Sequence, residues 1–258
     1  MRFFDIPKPS LDSTRQMFIE LESDERASKI DLGIGIYRDE NGLAPVFKSV
    51  KIAEKLLFEI ETSKSYKTPA GNSKYCKNIL DLVLGKAIID ERGDKIGSIQ
   101  IPGAGSGLRI AGELIKNNLQ NKLISIPDPT WGQQPFMFKK SGLKVINHTY
   151  YNQQNNFLDF DNMIIDLKKL KSGDAVLLHG CCHNPTGADL SVDQWEQVAN
   201  ICLKKGILPF IDLVYQGLGI GVDEDVLGIR KLVQIVPEVI ITVSSSKTFG
   251  VYRDRCGL

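Results

Sequence analysis

A lysine near the end of the chain follows the apolar run EVIITVSSS, and an arginine follows it eight positions later. These residues are Lys247 and Arg255. Burial between apolar walls lowers the pKa of a lysine, and a nearby cation lowers it further. The neutral amine that results can form a Schiff base with an aldehyde. The simpler alternative is an exposed surface lysine, which is the most common fate of this residue.

Further polar residues stand where apolar, strand-like runs end. They are the glycine-rich turn GAGSG at 103–107, Trp131, the segment HNPTG at 183–187, Asp212 with Tyr215, and SSSK at 244–247. In open α/β sheets the ligand binds beyond the carboxyl ends of the strands. We therefore expect these residues to gather along one edge of one sheet.

Each of these residues also has a simpler structural explanation. The glycine turn matches neither a G-x-G-x-x-G nor a G-K-[ST] pattern, so it favours a phosphate only through free N–H groups at a helix start. Asn184 and Pro185 are typical of a turn, in which the proline bond can be cis. Asp212 is compatible with a helix cap, and Tyr215 and Trp131 with packed aromatics. Together, however, a lysine, an acid, a phosphate loop and a stacking aromatic are what a pyridoxal phosphate site needs.

The elements that must position these residues alternate along the chain. Apolar runs such as KLISI, DAVLLHG, ILPFID and EVIITV alternate with helical stretches such as LRIAGELIKNN and SVDQWEQVANICLKKG, and SIQI at 98–101 is a further strand-like run. This alternation predicts an α/β fold whose mainly parallel sheet is flanked by helices and buried on both faces. Residues 1–45 lack the alternation. We expect them to form an arm and the start of a smaller domain, and 46–258 to form the large domain.

Composition excludes several classes of function. The formal net charge of +1 leaves no basic stripe for nucleic acid, and no apolar run is long enough to span a membrane. The cysteines have neither zinc nor C-x-x-C spacing, so no metal site is expected; they are Cys76, Cys181, Cys182, Cys202 and Cys256. The first residues do not form a signal peptide. Reduced thiols in the cytoplasm are therefore the expected state.

The motifs GCCHNPTG, DLVYQG and SKTFG…R, in that order, resemble the class I aminotransferases of the aspartate and aromatic amino acid subgroup. The similarity begins at IDLGIGIYRDENG and extends over nearly the whole chain. It implies the large domain of the pyridoxal-phosphate fold called type I. It also implies transfer of an amino group from aspartate or an aromatic amino acid to 2-oxoglutarate.

The resemblance also implies catalytic and ring-binding roles. Lys247 would carry the cofactor as an internal aldimine and then move a proton between the substrate and the cofactor. Asp212 would pair with the pyridine nitrogen. Tyr215 and Asn184 would hydrogen-bond the phenolic oxygen, and Trp131 would stack on the ring.

Phosphate and substrate contacts follow from the same resemblance. Ser244, Arg255 and the loop around Gly105 and Ser106 would hold the phosphate, and Tyr66 would reach the phosphate of a partner subunit in a homodimer. The substrate pocket would be lined by Gly35, Trp131 and Asn184. His179 and His183 match positions that support the site without binding metal.

The chain departs from the family pattern in three respects. Gln134 stands where many relatives have histidine, and GAGSG differs from the usual GG[ST]G in the placement of one residue. Relatives also continue well past Leu258, where the resemblance implies the arginine that binds the substrate carboxylate.

The missing part would include an antiparallel strand between earlier strands, the end of the large domain and most of the small one. We therefore expect the 258 residues alone to be poorly stable. The alternative to an enzyme is a truncated, non-catalytic relative or gene fragment.

Overall fold

A computed structural model describes residues 13–26, 28–31 and 33–258 of the chain. The chain divides into two compact units, 1–45 and 46–258. In the first unit, α1 (Ser13–Ser23) is followed by a segment in which Arg38 contacts Asp31 at 2.6 Å. The assignment of the two units to a small and a large domain stays a prediction.

Five parallel strands form the central sheet of the second unit. The strands found in the described residues are β1 (Leu123–Asp128), β2 (Lys144–Thr149), β3 (Tyr151–Asn152), β4 (Phe157–Leu158), β5 (Ala175–His179), β6 (Leu208–Leu213) and β7 (Ile240–Val243). The sheet has the order β2-β1-β5-β6-β7, and every neighbouring pair is parallel. Strands β3 and β4 form a short antiparallel hairpin.

Helices connect the strands, as the sequence alternation predicts. They are α2 (Lys48–Ile60), α3 (Ser73–Leu84), α4 (Lys86–Arg92), α5 (Ala104–Asn118), α6 (Gln133–Lys140), α7 (Phe160–Leu167), α8 (Val192–Lys205), α9 (Leu227–Ile235) and α10 (Ser245–Thr248). Helix α8 shows why such boundaries form. Ser191 and Gln194 make a capping box at its start, and Gly206 ends it with a φ of 64°.

The core lies on both faces of the sheet. Val176 and Leu178 of β5 pack with α3, α7, α8 and α9, whereas Ala175 and Leu177 pack with α5 and α6. Side chains of a strand alternate between faces, so each apolar run supplies both layers. Trp195 of α8 is buried in the first layer. The predicted α/β architecture with a mainly parallel sheet is confirmed.

The run SIQI is not a strand, so that prediction is wrong. Only Ile101 forms a bridge, donating its N–H to Gly257 O at 2.9 Å. On the other side, Leu258 exchanges backbone hydrogen bonds with Val243 at 2.7 and 3.0 Å. Gly257 thus forms antiparallel bridges with both Ile101 and Ser244, beside the end of β7. Beside them is an apolar cleft of about 430 Å³, with Ile241 in its wall.

No helix in the described ranges combines the length and the apolar character needed to cross a bilayer.

Candidate functional site

The carboxyl ends of three adjacent strands carry the polar residues of the candidate site. The register places His179 of β5 beside Asp212 of β6, and Asp212 beside Thr242 of β7. Because the strands are parallel, the segments that follow them leave from one edge of the sheet. These segments contain Asn184 and Tyr215, and the structure brings them together with the end of β7.

Asp212 is a buried carboxylate with two hydrogen-bond donors. Gln134 Nε2 donates to its Oδ2 at 2.7 Å, and Thr242 Oγ1 lies 3.5 Å from its Oδ1. Burial raises the pKa of Asp212 to about 6, against the effect of Gln134, Lys247 and Thr242. Asp212 lies within β6. The alternative that it caps a helix is therefore wrong.

Lys247 is half-buried in α10, directly after β7. The Ser244 hydroxyl caps this short helix by accepting the Ser246 N–H at 3.2 Å. Lys247 Nζ lies 5.6 Å from the centroid of the Tyr215 ring. Burial lowers the pKa of Lys247 and Arg255 lowers it further, although Asp212 opposes both. Lys247 is therefore not the freely exposed lysine of the simpler alternative.

Asn184 follows β5 and Tyr215 follows β6, the strand that pairs with β7. Burial raises the pKa of the half-buried Tyr215, and the Asp212 carboxylate raises it further. The peptide bond between Asn184 and Pro185 is cis, as the sequence allows. The Asn184 N–H donates to Nδ1 of His179 at 3.2 Å.

Helix α5 begins without a side-chain cap, at Gly103 with a φ of 86°. Gly105 and Ser106 are half-buried in its first turn. Helix N-termini attract anions, because their N–H groups lack partners within the helix. A cation stands at this end as well, since Arg255 Nη2 lies 3.4 Å from Pro102 O.

Arg255 connects this helix start to the lysine segment. Its Nη1 donates to Ser246 Oγ at 3.3 Å and to Tyr252 O at 3.0 Å. A guanidinium, the Ser246 hydroxyl and the N-terminus of α5 therefore meet at Arg255, eight residues after Lys247. This donor set suits a phosphate group, which accepts several charge-assisted hydrogen bonds.

Trp131 and Tyr66 of the second unit make none of these contacts, and Gly35 belongs to the first unit. Trp131 lies between β1 and α6 with 36% of its surface exposed, beside Thr130, whose hydroxyl contacts Gln134. Tyr66 is fully exposed in the segment between α2 and α3. Gly35 is exposed in the first unit. Their proposed contacts with the cofactor, a partner subunit and the substrate stay predictions.

Gln134 and Thr242 contact Asp212, and reasoning from the sequence assigned a role to neither. A signal for Gln134 was present, since it lies four residues before Phe138 in α6. Residues four apart share one face of a helix, and both side chains are fully buried. A glutamine on the apolar face of a helix needs a buried polar partner, which here is Asp212.

All three histidines of the chain are buried together near this edge. The ring of His183 stacks on those of His179 and Tyr150, with centroid distances of 4.4 and 3.9 Å. Burial lowers the pKa of His148 to about 3 and of His183 to about 4, and holds the pKa of His179 well below its ordinary value. The rings are therefore neutral and packed, and no metal-binding group of three ligands occurs in the described part of the chain.

Comparisons with known proteins agree with this geometry. The family model "Aminotransferase class I and II" matches residues 27–258. An aromatic-amino-acid aminotransferase of Pseudomonas aeruginosa is 43% identical over 91% of this chain, and an aspartate aminotransferase of Escherichia coli is 40% identical over 91%. The chain spans 59% of the length of each of these curated relatives.

A solved structure shares the fold over the whole chain. It is an aromatic-amino-acid aminotransferase from Burkholderia pseudomallei, described as covalently bound to pyridoxal phosphate. The TM-score is 0.94 at 30% identity, and the match covers 100% of this chain and 65% of the other. The fold is thus that of type I pyridoxal-phosphate enzymes. With its sheet, its strand-end residues and these matches, the chain belongs to the aminotransferase class I and II family.

Proposed function

We propose that this chain forms the cofactor-binding part of an amino acid aminotransferase that uses pyridoxal 5'-phosphate. The observation that carries the proposal is the convergence of Lys247, Asp212 and Arg255 at one sheet edge. A half-buried amine, a buried acid and a cation beside a helix N-terminus are the groups this cofactor needs. The covalently bound cofactor of the Burkholderia relative supports the same reading.

The phosphate end of the cofactor fits the donors at α5. Ser244, Arg255, Gly105 and Ser106 would hold it, through hydroxyls, a guanidinium and backbone N–H groups. Gly103 suits this role, because a Cβ atom there would lie 2.5 Å from Arg255 Nη2. The helix start and the guanidinium can approach one anion together only if that position lacks a side chain.

The ring end of the cofactor fits Asp212 of β6 and residues in the segments that follow β1, β5 and β6. Asp212 would accept a hydrogen bond from the protonated ring nitrogen, and at neutral pH its carboxylate is largely ionised because its pKa is about 6. Tyr215 and Asn184 would donate to the phenolic oxygen, and Trp131 would cover one face of the ring. When bound, the cofactor supplies a ring that accepts electrons from the substrate.

Lys247 would do the proton chemistry. Its Nζ would hold the cofactor through the aldehyde carbon, with loss of water. When free, the same amine would take the proton from the substrate Cα and deliver it to the cofactor. The lowered pKa of Lys247 favours the neutral amine that both steps require.

The proposed reaction moves an amino group from aspartate or an aromatic amino acid to 2-oxoglutarate. Relatives of both names match the chain at similar identity, 43% and 40%, so identity does not separate the two donors. Gly35, Trp131 and Asn184 would line the substrate pocket. The cytoplasmic location also stays a prediction, which the free thiols of all five cysteines support.

We also propose a homodimer, which both the exposed surface of α2 and the family resemblance support. This helix has no buried residue, yet Leu56, Phe58 and Ile60 are exposed along it. Apolar surface of this kind is typical of protein interfaces. Tyr66 follows the helix and would reach the phosphate of the partner subunit. Light scattering should show that the wild-type chain is a dimer and that the Phe58→Glu variant is a monomer. A monomeric wild-type chain would contradict the proposed dimer.

Absorbance spectroscopy tests the cofactor proposal. Purified chain that is incubated with pyridoxal 5'-phosphate and then dialysed should keep a visible absorbance band. The Lys247→Ala variant should lose this band. The Lys168→Ala variant is the control and should keep it, because Lys168 is exposed at the end of α7. Absence of the band in the wild type would overturn cofactor binding. Aspartate or phenylalanine should remove the band and 2-oxoglutarate restore it. A band that no amino acid changes would favour the non-catalytic alternative.

A further inference from the structure

The side chain of Gln134 is fully buried, and every polar atom on it has a partner. Its Nε2 donates to Asp212 Oδ2 at 2.7 Å, and its Oε1 lies 3.1 Å from His179 Nε2. The Thr130 hydroxyl also donates to this Oε1. The amide therefore bridges the acid of β6 and the histidine at the end of β5.

The chemistry of these groups allows one arrangement of protons. An ionised carboxylate only accepts hydrogen bonds, so the amide N–H₂ of Gln134 must face Asp212. The amide oxygen then faces His179, which must donate from Nε2. A neutral imidazole with its proton on Nε2 has a bare Nδ1, and this atom accepts the N–H of Asn184 at 3.2 Å.

The surroundings of His179 keep this arrangement. Its ring stacks on His183 at 4.4 Å, and burial together with the neighbouring histidines disfavours a second proton on the imidazole. An amide does not titrate at all in this range. Asn184, His179 and Gln134 therefore keep the same protons throughout the neutral pH range.

We propose that Gln134 is a positioning residue that holds Asp212 and the Asn184 backbone in fixed relation through this ordered chain of hydrogen bonds. The inference rests on the proposed function, in which Asp212 would bind the ring nitrogen and Asn184 the phenolic oxygen of the same ring. Gln134 gives Asp212 a permanent donor that no change of pH near neutrality removes. Asp212 is thereby kept as a hydrogen-bond acceptor with its second oxygen, Oδ1, turned towards Thr242.

Nitrogen-15 NMR of the cofactor-free chain tests the arrangement independently of cofactor binding. All three histidine rings of the chain give signals in this spectrum. The variants His148→Gln and His183→Gln each remove the signals of one ring, so the remaining signals are those of His179. The wild-type His179 should be neutral, with its proton on Nε2, from pH 6 to pH 8. A ring protonated on Nδ1, or one that titrates in this range, would overturn the inference.

Variants at two adjacent glutamines separate positioning from packing. Gln134→Met keeps the volume but removes the hydrogen bonds to Asp212, His179 and Thr130, whereas Gln133→Met changes an exposed neighbour. Gln134→Met should shift the Nε2 signal of His179, because this atom loses its hydrogen bond to Gln134, while the Asn184 N–H still selects the same tautomer. It should also raise the pKa of Asp212, followed by carboxyl carbon-13 NMR, by about one unit or more, as loss of a hydrogen bond to a charged group implies. Gln133→Met should change neither.

Unchanged signals in Gln134→Met would show that Gln134 only fills space, and would overturn the proposal. If Gln134→Met does not fold, Gln134→Glu decides, because it keeps the shape and replaces the donor by an acceptor. The introduced carboxyl group can face Asp212 only if one of the two acids takes a proton, so one proton should be bound at pH 7 in this variant. Two ionised carboxylates would contradict the inference. These readouts need no cofactor, so failure to bind pyridoxal 5'-phosphate would affect the proposed function alone.

Discussion

Gly103 and Arg255 are in such close approach that a Cβ atom on Gly103 would lie 2.5 Å from Arg255 Nη2. Gly103 also has a φ of 86°, a conformation that costs other residues about 1 kcal/mol or more. The start of α5 and the guanidinium therefore share one small space. This contact makes Gly103 the most direct point at which to disturb the proposed phosphate site.

We expect Gly103→Ala to weaken the binding of pyridoxal 5'-phosphate by about tenfold or more. The added methyl group displaces Arg255, and a charge-assisted hydrogen bond contributes about 1.5–3 kcal/mol. Absorbance titration measures the affinity. Gly97→Ala is the control, because no atom lies within 4 Å of a Cβ there and its φ is ordinary. Equal affinities in both variants would place the phosphate elsewhere.

Acid should destabilise the fold through its buried histidines. The pKa values of His148 and His183 are about 3 and about 4 in the folded chain, against about 6.5 when unfolded, so only the unfolded chain gains their protons as the pH falls. Asp212, with its pKa raised to about 6, acts in the opposite direction. The histidine shifts are together larger than this single shift. The free energy of unfolding should therefore fall between pH 6.5 and pH 4.

Urea unfolding followed by circular dichroism at several pH values measures this dependence. His148→Gln should reduce the slope, because it removes one of the groups that titrate differently in the two states. A stability that is flat or rises on acidification would contradict the sign derived from these pKa shifts.

Gly228→Ala should destabilise the protein, although alanine normally favours a helix. A Cβ on Gly228, in the first turn of α9, would collide with the indole of the buried Trp195 of α8. Overpacking of this kind costs about 1–3 kcal/mol, which exceeds the helix-propensity gain of about 1 kcal/mol. Thermal unfolding compares the variant with Gly97→Ala. A melting temperature at or above that of the wild type would refute the close packing of α8 and α9.

Asp225→Asn should loosen the loop between β6 and α9. The Asp225 carboxylate accepts the N–H groups of Gly217, Gly219, Ile220 and Gly221, at 2.8 to 3.3 Å. Burial alone would raise the pKa of Asp225, but these donors outweigh it and hold the pKa below its ordinary value. An asparagine NH₂ would face two of the donors, so a loss of about 2 kcal/mol is expected.

Proteolysis of the loop and urea unfolding measure this loss. Asp223→Asn is the matched control, since its side chain is 76% exposed in a surface ion pair with Arg230, which contributes at most about 1 kcal/mol. If both variants unfold alike, the four backbone contacts contribute little to the loop.

The sheet was predictable from the sequence because its strands are buried on both faces. Runs such as DAVLLHG and ILPFID carry this burial in their composition, and alternation with helices allows only a mainly parallel arrangement. The position of Asn184, Tyr215 and Lys247 at one edge follows from the same rule, since all three come just after strands. Their family motifs added the expected roles.

The remaining features depend on contacts distant in the chain. Ile101 ends an apolar run that predicts a strand, but a strand needs a continuous backbone partner, and Gly257 alone provides one bridge. The bond from Gln134 to Asp212 joins residues 78 positions apart. Local patterns record which side chain is buried, but the partner that satisfies it is set by the packing of α6 on the sheet.

The two tryptophans of the chain lie in different environments, Trp195 within the core and Trp131, which is proposed to stack on the cofactor ring, between β1 and α6 with 36% of its surface exposed. The protein therefore contains two intrinsic fluorophores that report on different events. Iodide should quench Trp131 and leave Trp195 bright. A ligand that enters the site should dim the first without shifting the second, whereas unfolding should move the emission of Trp195 to longer wavelength. A single emission spectrum can thus separate occupancy of the site from loss of the fold.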